Sequence, residues 1–273
     1  FLKSLNIDLI TNTRSIIPPY ELDIYIPDHK LAIEYCGLYW HSEQAGKDKN
    51  YHLNKLKLCQ EKGIRLLTIF EDEWINRTEA VKNSLLYFVK QQNQKIFARN
   101  CKIVLLTTKQ KRDFFEKTHI QGNGPGSISY GLLYNEQIVA AISFVKKDNQ
   151  KFELTRFATS TTVPGSFSKL LEHFKKNHQW NQIITFADLR WSNGNLYEKC
   201  GFKLDKILPP DYYYSPDGHQ RIHKFNYRRK YLPKLLTNFD PNLSEMQNCD
   251  NNGILRIWDC GKLRFVLKNP LIN

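Results

Sequence analysis

The chain has no run of about 18 apolar residues, the length that a membrane-spanning helix requires. Its first residues, FLKSLNIDLITNTRSII, lack the basic start, apolar centre and small-residue cleavage site of a signal peptide. They also lack an initiator methionine, which leaves open a longer protein upstream. We therefore expect no membrane partner for this chain.

The sequence also lacks a CxxC pair, an internal repeat and any extended low-complexity tract. A zinc ribbon is thus disfavoured, and dispersed cysteines predict reduced thiols in an intracellular compartment, the host cytoplasm if the protein is viral. The six cysteines are Cys36, Cys59, Cys101, Cys200, Cys249 and Cys260.

Acidic residues are few relative to basic ones: 27 Asp and Glu stand against 40 Lys and Arg, a net charge of +13. Such a balance predicts a polyanionic partner, most often nucleic acid and less often an anionic membrane surface. A merely solubilising surface charge is the alternative. With 273 residues and 41% hydrophobic content, the chain has room for two domains with real cores.

The first part of the chain alternates strand-like and helix-like patterns in the order strand, strand, helix, strand, helix. A polar run, KQQNQK, follows near Gln94 and predicts a domain boundary, which gives a first domain of residues 1–95. The five segments are ELDIYI, KLAIEYCGLYW, KDKNYHLNKLKLCQEKG, IRLLTIF and EDEWINRTEAVKNSLLYFVKQQN.

A second set of strands and helices predicts a domain over residues 96–235, including the helix SFSKLLEHFKKNHQW. Residues 236–273 are expected to form a C-terminal tail. Within it, ILRIWDCGKLRFVL predicts a β-hairpin that turns at Cys260–Gly261.

The first two predicted strands carry acidic residues among apolar neighbours: Glu21 and Asp23 on one, Glu34 on the other. Burying a carboxylate costs several kcal/mol unless it is paired or bound to a metal. Carboxylates at the ends of adjacent strands suit Mg²⁺. Glu21 could be a further acidic member or simply exposed. Cys36 shares a face with Glu34 and is expected to be a small buried hydrophobe.

Histidines and a lysine follow these strands. His41 lies just beyond the second strand, where an imidazole could act as general acid or base. His52 and Lys55 lie about one turn apart on one face of the predicted helix. For His52, a surface or satisfied histidine is as good an interpretation as a catalytic one. Trp40 is most simply a core aromatic.

Asp23, a gap and then Glu34-Tyr35-Cys36 resemble the PD-(D/E)xK motif of a restriction-endonuclease-like core, with Cys36 in place of the motif lysine. The following GLYWH resembles the corresponding segment of very-short-patch repair endonucleases and of the EDxHD group of bacteriophage-type homing endonucleases. The resemblance implies that Asp23 and Glu34 bind Mg²⁺ and that His41 handles protons. It further implies catalytic roles for His52 and for Lys55, which would replace the motif lysine.

In the second domain, LYEKCGF resembles the closing motif of GNAT-type N-acetyltransferases, with Asn193, Asn195, Tyr197 and Gly201-Phe202. Such enzymes hold the coenzyme A pyrophosphate with backbone N–H groups of a glycine-rich loop. The corresponding loop has only Gly165, preceded by Pro164, which has no N–H. We therefore expect no bound acetyl-CoA.

Several basic residues of this domain are candidates for contacts with the phosphate backbone of a nucleic acid. Double-stranded DNA is the expected partner. The basic candidates are Arg228, Arg229, Lys230 and Lys234, with Arg190 as a further one.

The sequence thus predicts an α/β protein: a restriction-endonuclease-like mixed-sheet domain, a GNAT-like α+β domain and a C-terminal β-hairpin. The expected function is that of a Mg²⁺-dependent DNA endonuclease, homing-endonuclease-like or repair-like, with the GNAT-like domain helping to hold DNA or a partner. One alternative is a GNAT-type acyltransferase with a degenerate nuclease domain. Another is a non-enzymatic subunit of a viral or repair assembly. A homodimer or a larger assembly is compatible with each.

Overall fold

The computed structural model describes residues 1–92 and 94–270 and forms two compact units. The first unit comprises Phe1–Ile75, Asp188–Trp191 and Pro209–Lys262. The second comprises Asn76–Ala187, Ser192–Leu208 and Leu263–Asn273. The units therefore interleave along the chain, whereas the sequence division at residues 95 and 235 assumed consecutive segments.

Strands and helices are interspersed along the described chain, as expected for an α/β protein. The strands are β1 (Ile10–Ile17), β2 (Tyr20–Ile26), β3 (Leu31–Cys36), β4 (Arg65–Phe70), β5 (Lys102–Leu105), β6 (Ile128–Tyr134), β7 (Gln137–Asp148), β8 (Lys151–Thr159), β9 (Gln182–Asp188), β10 (Lys203–Leu208), β11 (Tyr212–Ser215), β12 (Ile222–His223), β13 (Leu255–Trp258) and β14 (Lys262–Lys268). The helices are α1 (Tyr51–Glu61), α2 (Glu71–Asn76), α3 (Thr78–Phe88), α4 (Thr108–Thr118), α5 (Ser166–Asn177), α6 (Asn195–Lys199), α7 (Leu232–Leu235) and α8 (Glu245–Asn251).

The strands form three sheets, which confirms a mixed α/β fold. The first unit contains a four-stranded sheet in the order β1-β2-β3-β4 and a three-stranded sheet in the order β12-β11-β13. The second unit contains a seven-stranded sheet in the order β10-β14-β9-β8-β7-β6-β5. Among the residues described, no helix is long and apolar enough to cross a membrane.

The four-stranded sheet forms around the parallel pair β3 and β4, which are in register from Leu31 with Arg65 to Cys36 with Phe70. Parallel neighbours need a crossover connection, and α1 supplies it. Strand β4, RLLTIF, is buried along nearly its whole length, as expected of a strand in a parallel pair. Helix α1 buries His52, Lys55, Leu56 and Cys59, so half of its buried face is polar.

Three elements differ from the sequence prediction. Strand β1 was not predicted, because its polar TNTRS stretch hides the strand pattern. The long helix predicted after IRLLTIF is two helices, since Arg77 between them has non-helical backbone angles. The predicted C-terminal hairpin is wrong: β13 pairs with β11, whereas β14 joins the seven-stranded sheet. The Asp259 carboxylate explains this, because it accepts from the backbone N–H groups of Asp211 and Gly261, both at 2.8 Å, and so redirects the chain.

The seven-stranded sheet opens between two of its central strands. Strands β5 to β8 form an antiparallel meander, and β8 then pairs in parallel with β9. This parallel ladder ends at Leu154 and Thr185 after four residue pairs, although β8 continues beside β7 as far as Thr159. The remaining lengths of β8 and β9 are therefore not joined to each other.

Helix α5 covers this sheet and confirms the predicted helix. Its buried residues recur at helical spacing and include Phe167, Leu170, Leu171 and Phe174. The Phe174 ring stacks on that of Phe144 in β7, with centroids 3.8 Å apart. This apolar stripe holds the start of α5, at Gly165, in place at the end of β8.

We predict that Gly194→Ala destabilises the protein more than Gly201→Ala, which is its matched control. Both glycines have a positive φ, 83° and 86°, so alanine costs about 1–2 kcal/mol at either position. A Cβ at Gly194 would collide with the Phe265 ring, whereas one at Gly201 would meet Leu267 Cδ1 at 3.6 Å. The collision should add about 1–3 kcal/mol, measured by urea unfolding. Equal losses in the two variants would contradict this packing.

Candidate functional site

Polar residues from β2, β3 and α1 meet beside the four-stranded sheet. Glu34 on β3 and Lys55 on α1 form an ion pair, and both side chains are about 95% buried or more. The second Glu34 oxygen, Oε1, accepts from the Asp23 backbone N–H at 3.3 Å. Asp23 Oδ2 accepts from the Tyr35 N–H at 2.7 Å. Burial raises the pKa of Asp23, while the Tyr35 hydrogen bond and Lys55 act in the opposite direction.

Four of the predicted site residues line one narrow pocket, which is too small to hold a water molecule. They are Glu34, His41, His52 and Lys55, and the lining is completed by Tyr51, Leu66 and Thr68. Asp23 is not among the lining residues. Glu21 forms an ion pair of 2.9 Å with Arg14, which is largely exposed. Glu21 itself is half-buried, so its role as a further acidic member stays a prediction.

His41 and His52 are in direct contact. His41 Nδ1 lies 3.3 Å from His52 Nε2, and the rings stack with an interplanar angle of 15°. Burial lowers the pKa of His41 to about 4 and that of His52 to about 3. Both imidazoles are therefore uncharged at neutral pH.

Cys36 ends β3 and is fully buried, as the sequence predicted. It packs against Leu38, Phe70 and Ile257. Burial raises the pKa of its thiol well above the ordinary value. Cys36 Sγ and one nitrogen from each of the two histidines lie within 4.8 Å of one another.

These contacts bear on the predicted magnesium ion. Mg²⁺ prefers oxygen ligands, yet Glu34 is paired with Lys55, and one Asp23 oxygen is occupied by the Tyr35 N–H. Within residues 1–92 and 94–270, the potential metal ligands that cluster are Cys36, His41 and His52, which offer nitrogen and sulfur. Magnesium binding by Asp23 and Glu34 therefore stays a prediction.

The structure places two other predicted residues differently. Trp40 is 71% exposed and not a core residue, because β3 ends at Cys36 and the chain turns there, with the His41 N–H bonded to the Gly37 carbonyl. Arg190 cannot face a phosphate backbone, since it is 2% exposed and paired with Glu73 at 2.8 Å and Asp188 at 2.7 Å.

Sequence reasoning missed the ionic network to which Arg190 belongs. Arg221 joins it through Asp72 at 2.9 Å and Glu73 at 2.8 Å. In this network two arginines and three carboxylates pair with one another, so the buried charges near the ends of β4 and β9 are all compensated. The acidic run Glu71-Asp72-Glu73, which directly follows a buried strand, is the sequence signal that could have indicated it.

The four predicted DNA-binding residues are all exposed: Arg228, Arg229, Lys230 and Lys234. Two of them lie over exposed aromatic rings. The Arg228 guanidinium is 4.4 Å from the Phe225 ring centroid, and Lys230 Nζ is 4.8 Å from that of Tyr231. The Arg229 guanidinium donates to the Pro241 carbonyl.

In the second unit, Tyr197 lies where the seven-stranded sheet opens. Burial raises the pKa of its phenol, while the Thr185 side chain acts in the opposite direction. Thr185 Oγ1 donates to the Leu154 carbonyl at 3.0 Å, and these two residues are the last pair of the parallel ladder. The Tyr197 ring packs between Phe167 and Phe265, with centroids 5.6 and 5.4 Å away.

The loop between β8 and α5 is bonded to the segment that precedes β5. The Thr162 and Pro164 carbonyls accept from the N–H groups of Ile96 and Ala98 at 3.0 and 3.1 Å. Gly165 then begins α5 with a φ of 78°, a conformation that glycine adopts readily. Pro164 thus contributes a carbonyl to the loop, and the conformation at Gly165 explains why glycine stands there.

No protein-family model matches the chain, and no curated protein matches it. Solved structures of acetyltransferases do match. An IAA acetyltransferase from Bacillus cereus is 13% identical, with 62% of this chain and 99% of that chain covered and a TM-score of 0.34. A GNAT family acetyltransferase from Elizabethkingia anophelis, with acetyl-CoA bound, is 15% identical, with the same coverage and TM-score. The ribosomal-protein-S18-alanine N-acetyltransferase from Escherichia coli is 16% identical, with 62% and 93% covered and a TM-score of 0.33.

These matches contradict the prediction that the chain is a DNA endonuclease that hydrolyses phosphodiesters, because the proteins named are acetyltransferases. Of the two families that the sequence resembles, only the GNAT-like one has support, and that support concerns the fold.

We predict that Lys55→Met destabilises the protein by about 3–5 kcal/mol, because it leaves the buried Glu34 carboxylate without its partner. Adding Glu34→Gln should restore much of the loss. The control is Arg14→Met, which removes one partner of a largely exposed pair and should cost less than about 1 kcal/mol. Urea unfolding of the unaltered chain and the three variants measures the differences. If Lys55→Met lowers the free energy of unfolding no more than Arg14→Met does, the buried pair contributes no more to stability than the exposed pair.

Proposed function

We propose that the second unit is a coenzyme A-dependent acyltransferase of the GNAT type. The observation that carries the proposal is the opening of the seven-stranded sheet after Leu154 and Thr185. An opening between two parallel strands admits an extended molecule that bonds to strand backbone groups as an added strand does. The pantetheine arm of coenzyme A has two amides and suits such a position.

The start of α5 supports the same proposal. This 12-residue helix begins directly after the loop that follows β8, and its first-turn N–H groups have no partners within the helix. A helix N-terminus favours anionic groups, so it suits the pyrophosphate of coenzyme A. The sequence expectation of no acetyl-CoA rested on Pro164, whose missing N–H does not affect the amides of the helix itself.

Tyr197 is the residue to which we assign a chemical role. In acyl transfer from a thioester, the amine nitrogen attacks the carbonyl carbon and the C–S bond breaks. The sulfur takes a proton, and the nitrogen releases one to solvent. Burial raises the pKa of the Tyr197 phenol further above neutral pH, so the phenol keeps its proton beside Thr185 at the opening. It can therefore donate that proton as a general acid. The amine that accepts the acyl group is not specified by these contacts.

Tyr197→Phe should leave acetyl-CoA affinity nearly unchanged but lower kcat by about 10²–10⁴-fold, the usual contribution of a general acid. Calorimetry measures the affinity, and release of coenzyme A in the presence of a panel of primary amines measures the rate. Tyr130→Phe is the matched control, because it removes a hydroxyl of the same sheet that lies 2.8 Å from His178 Nε2. Absence of acetyl-CoA binding by the unaltered chain would refute the proposal.

We propose a second activity, binding of double-stranded DNA, for the exposed basic segment of the first unit. Arg228, Arg229, Lys230 and Lys234 are exposed within seven residues of one another, in a chain of net charge +13. Their partly stacked side chains are already ordered by Phe225 and Tyr231, which lowers the entropy lost on meeting phosphates.

Replacing Arg228, Arg229 and Lys230 by alanine should weaken DNA binding and lower the slope of log K against log salt by about 0.9 for each phosphate that the variant no longer neutralises. The matched control replaces three exposed lysines of the second unit, Lys199, Lys203 and Lys206, for the same change in charge. Fluorescence anisotropy with a labelled duplex at several salt concentrations measures both quantities. Equal effects in the two triple variants would mean that only net charge matters.

A further inference from the structure

We propose that Cys36, His41 and His52 bind a divalent transition-metal ion, with Zn²⁺ as the ion that this set of ligands fits best. The three residues belong to the first unit, and their ligand atoms lie within 4.8 Å of one another. The inference concerns a different unit from the acyltransferase proposal and does not depend on it.

The fold brings the three residues together through short connections. Cys36 is the last residue of β3, and the turn that follows is closed by the bonds from the His41 N–H to the Gly37 carbonyl and from the Ser42 N–H to the Tyr39 carbonyl. His52 is the second residue of α1 and projects from its buried face. Each ligand therefore sits on an element whose position is fixed by backbone hydrogen bonds.

The spacing of the two imidazoles agrees with shared coordination. Nitrogens bound tetrahedrally at about 2.0–2.1 Å from one Zn²⁺ lie about 3.3–3.4 Å apart. His41 Nδ1 and His52 Nε2 are 3.3 Å apart. A hydrogen bond between two neutral rings gives a similar distance, so the distinction needs an experiment that detects the metal directly.

His52 has an unsatisfied polar atom. The residue is only 4% exposed, and its Nδ1 has no hydrogen-bond partner among the described residues. Buried polar atoms are nearly always paired. This orphan is the second nitrogen of the ring, and the nitrogen that faces His41 and would bind the ion is Nε2. With both rings uncharged, each has a lone pair to offer a cation.

The chemistry of the ligands selects the kind of metal. Two imidazoles and a thiolate suit Zn²⁺ or Co²⁺, whereas Mg²⁺ prefers oxygen. Cys36 would bind as the thiolate and release its proton to solvent. The site therefore differs in ligands and in metal from the magnesium site predicted at Asp23 and Glu34.

Three protein ligands leave one position of a tetrahedral ion open. His41 and His52 also line the small pocket that Glu34, Tyr51 and Lys55 complete. The open position would therefore face these side chains, among them the Lys55 ammonium, in a space too small for a separate water molecule.

Titration of the metal-free 273-residue chain with Co²⁺ tests the proposal, because a cobalt–thiolate bond gives a near-ultraviolet charge-transfer band. We expect one Co²⁺ per chain, with the band bleached by Zn²⁺. Cys36→Ser should abolish the band and weaken binding at least about tenfold. Cys59→Ser is the matched control, because Cys59 is also fully buried but lies outside the cluster and should leave the band intact.

His41→Gln is the second variant, since His41 is only partly buried and its replacement should be tolerated by the fold. It should weaken Co²⁺ binding while circular dichroism stays unchanged, which keeps the test decisive if Cys36→Ser misfolds. No stoichiometric Co²⁺ in the unaltered chain would overturn the proposal. So would a charge-transfer band that survives in Cys36→Ser or is unaffected by His41→Gln.

Discussion

The buried ion pair between Glu34 and Lys55 is the interaction on which the first unit depends most. Taking two charges out of water costs several kcal/mol for each ion, so neither residue is stable there without the other. The pair fixes which face of α1 meets the sheet, because Lys55 must reach β3. His52, three residues earlier on the same face, is thereby brought against His41. The pocket and the cluster of ligands both follow from this one constraint.

The second unit is governed instead by a limit on backbone pairing. Strand β8 is paired with β7 as far as Thr159 but with β9 only as far as Leu154, so the opening lies along one edge of β8. The opening is thus a property of the sheet and not of any side chain. Side chains then define its chemistry: Thr185 closes the ladder, and Tyr197 meets Thr185 from α6.

Much of the fold was predictable where one hydrophobic periodicity dominates a segment. Helix α5 with its apolar stripe and strand β3 with its apolar residues are examples. Strand β1 and the separate sheets of β13 and β14 were not predictable, because they depend on contacts with residues far away in the sequence. The Asp259 carboxylate that redirects the chain meets Asp211, 48 residues earlier. In the site, the resemblance grouped Asp23, Glu34, His41, His52 and Lys55, and all of these but Asp23 line one pocket. The sequence could not reveal that Arg190 is buried, since its partner Glu73 is 117 residues away.

Burial has the same electrostatic consequence at both candidate centres, although they lie in different units. It lowers the pKa of His41 and His52 and raises that of Tyr197, so all three side chains are uncharged at neutral pH. The chemical outcomes are opposite. An uncharged imidazole keeps a lone pair for a cation, whereas an uncharged phenol keeps a proton for a leaving thiolate. A chain with abundant surface charge therefore keeps the reactive groups of both candidate centres neutral, and the type of side chain decides whether each acts as a ligand or as an acid.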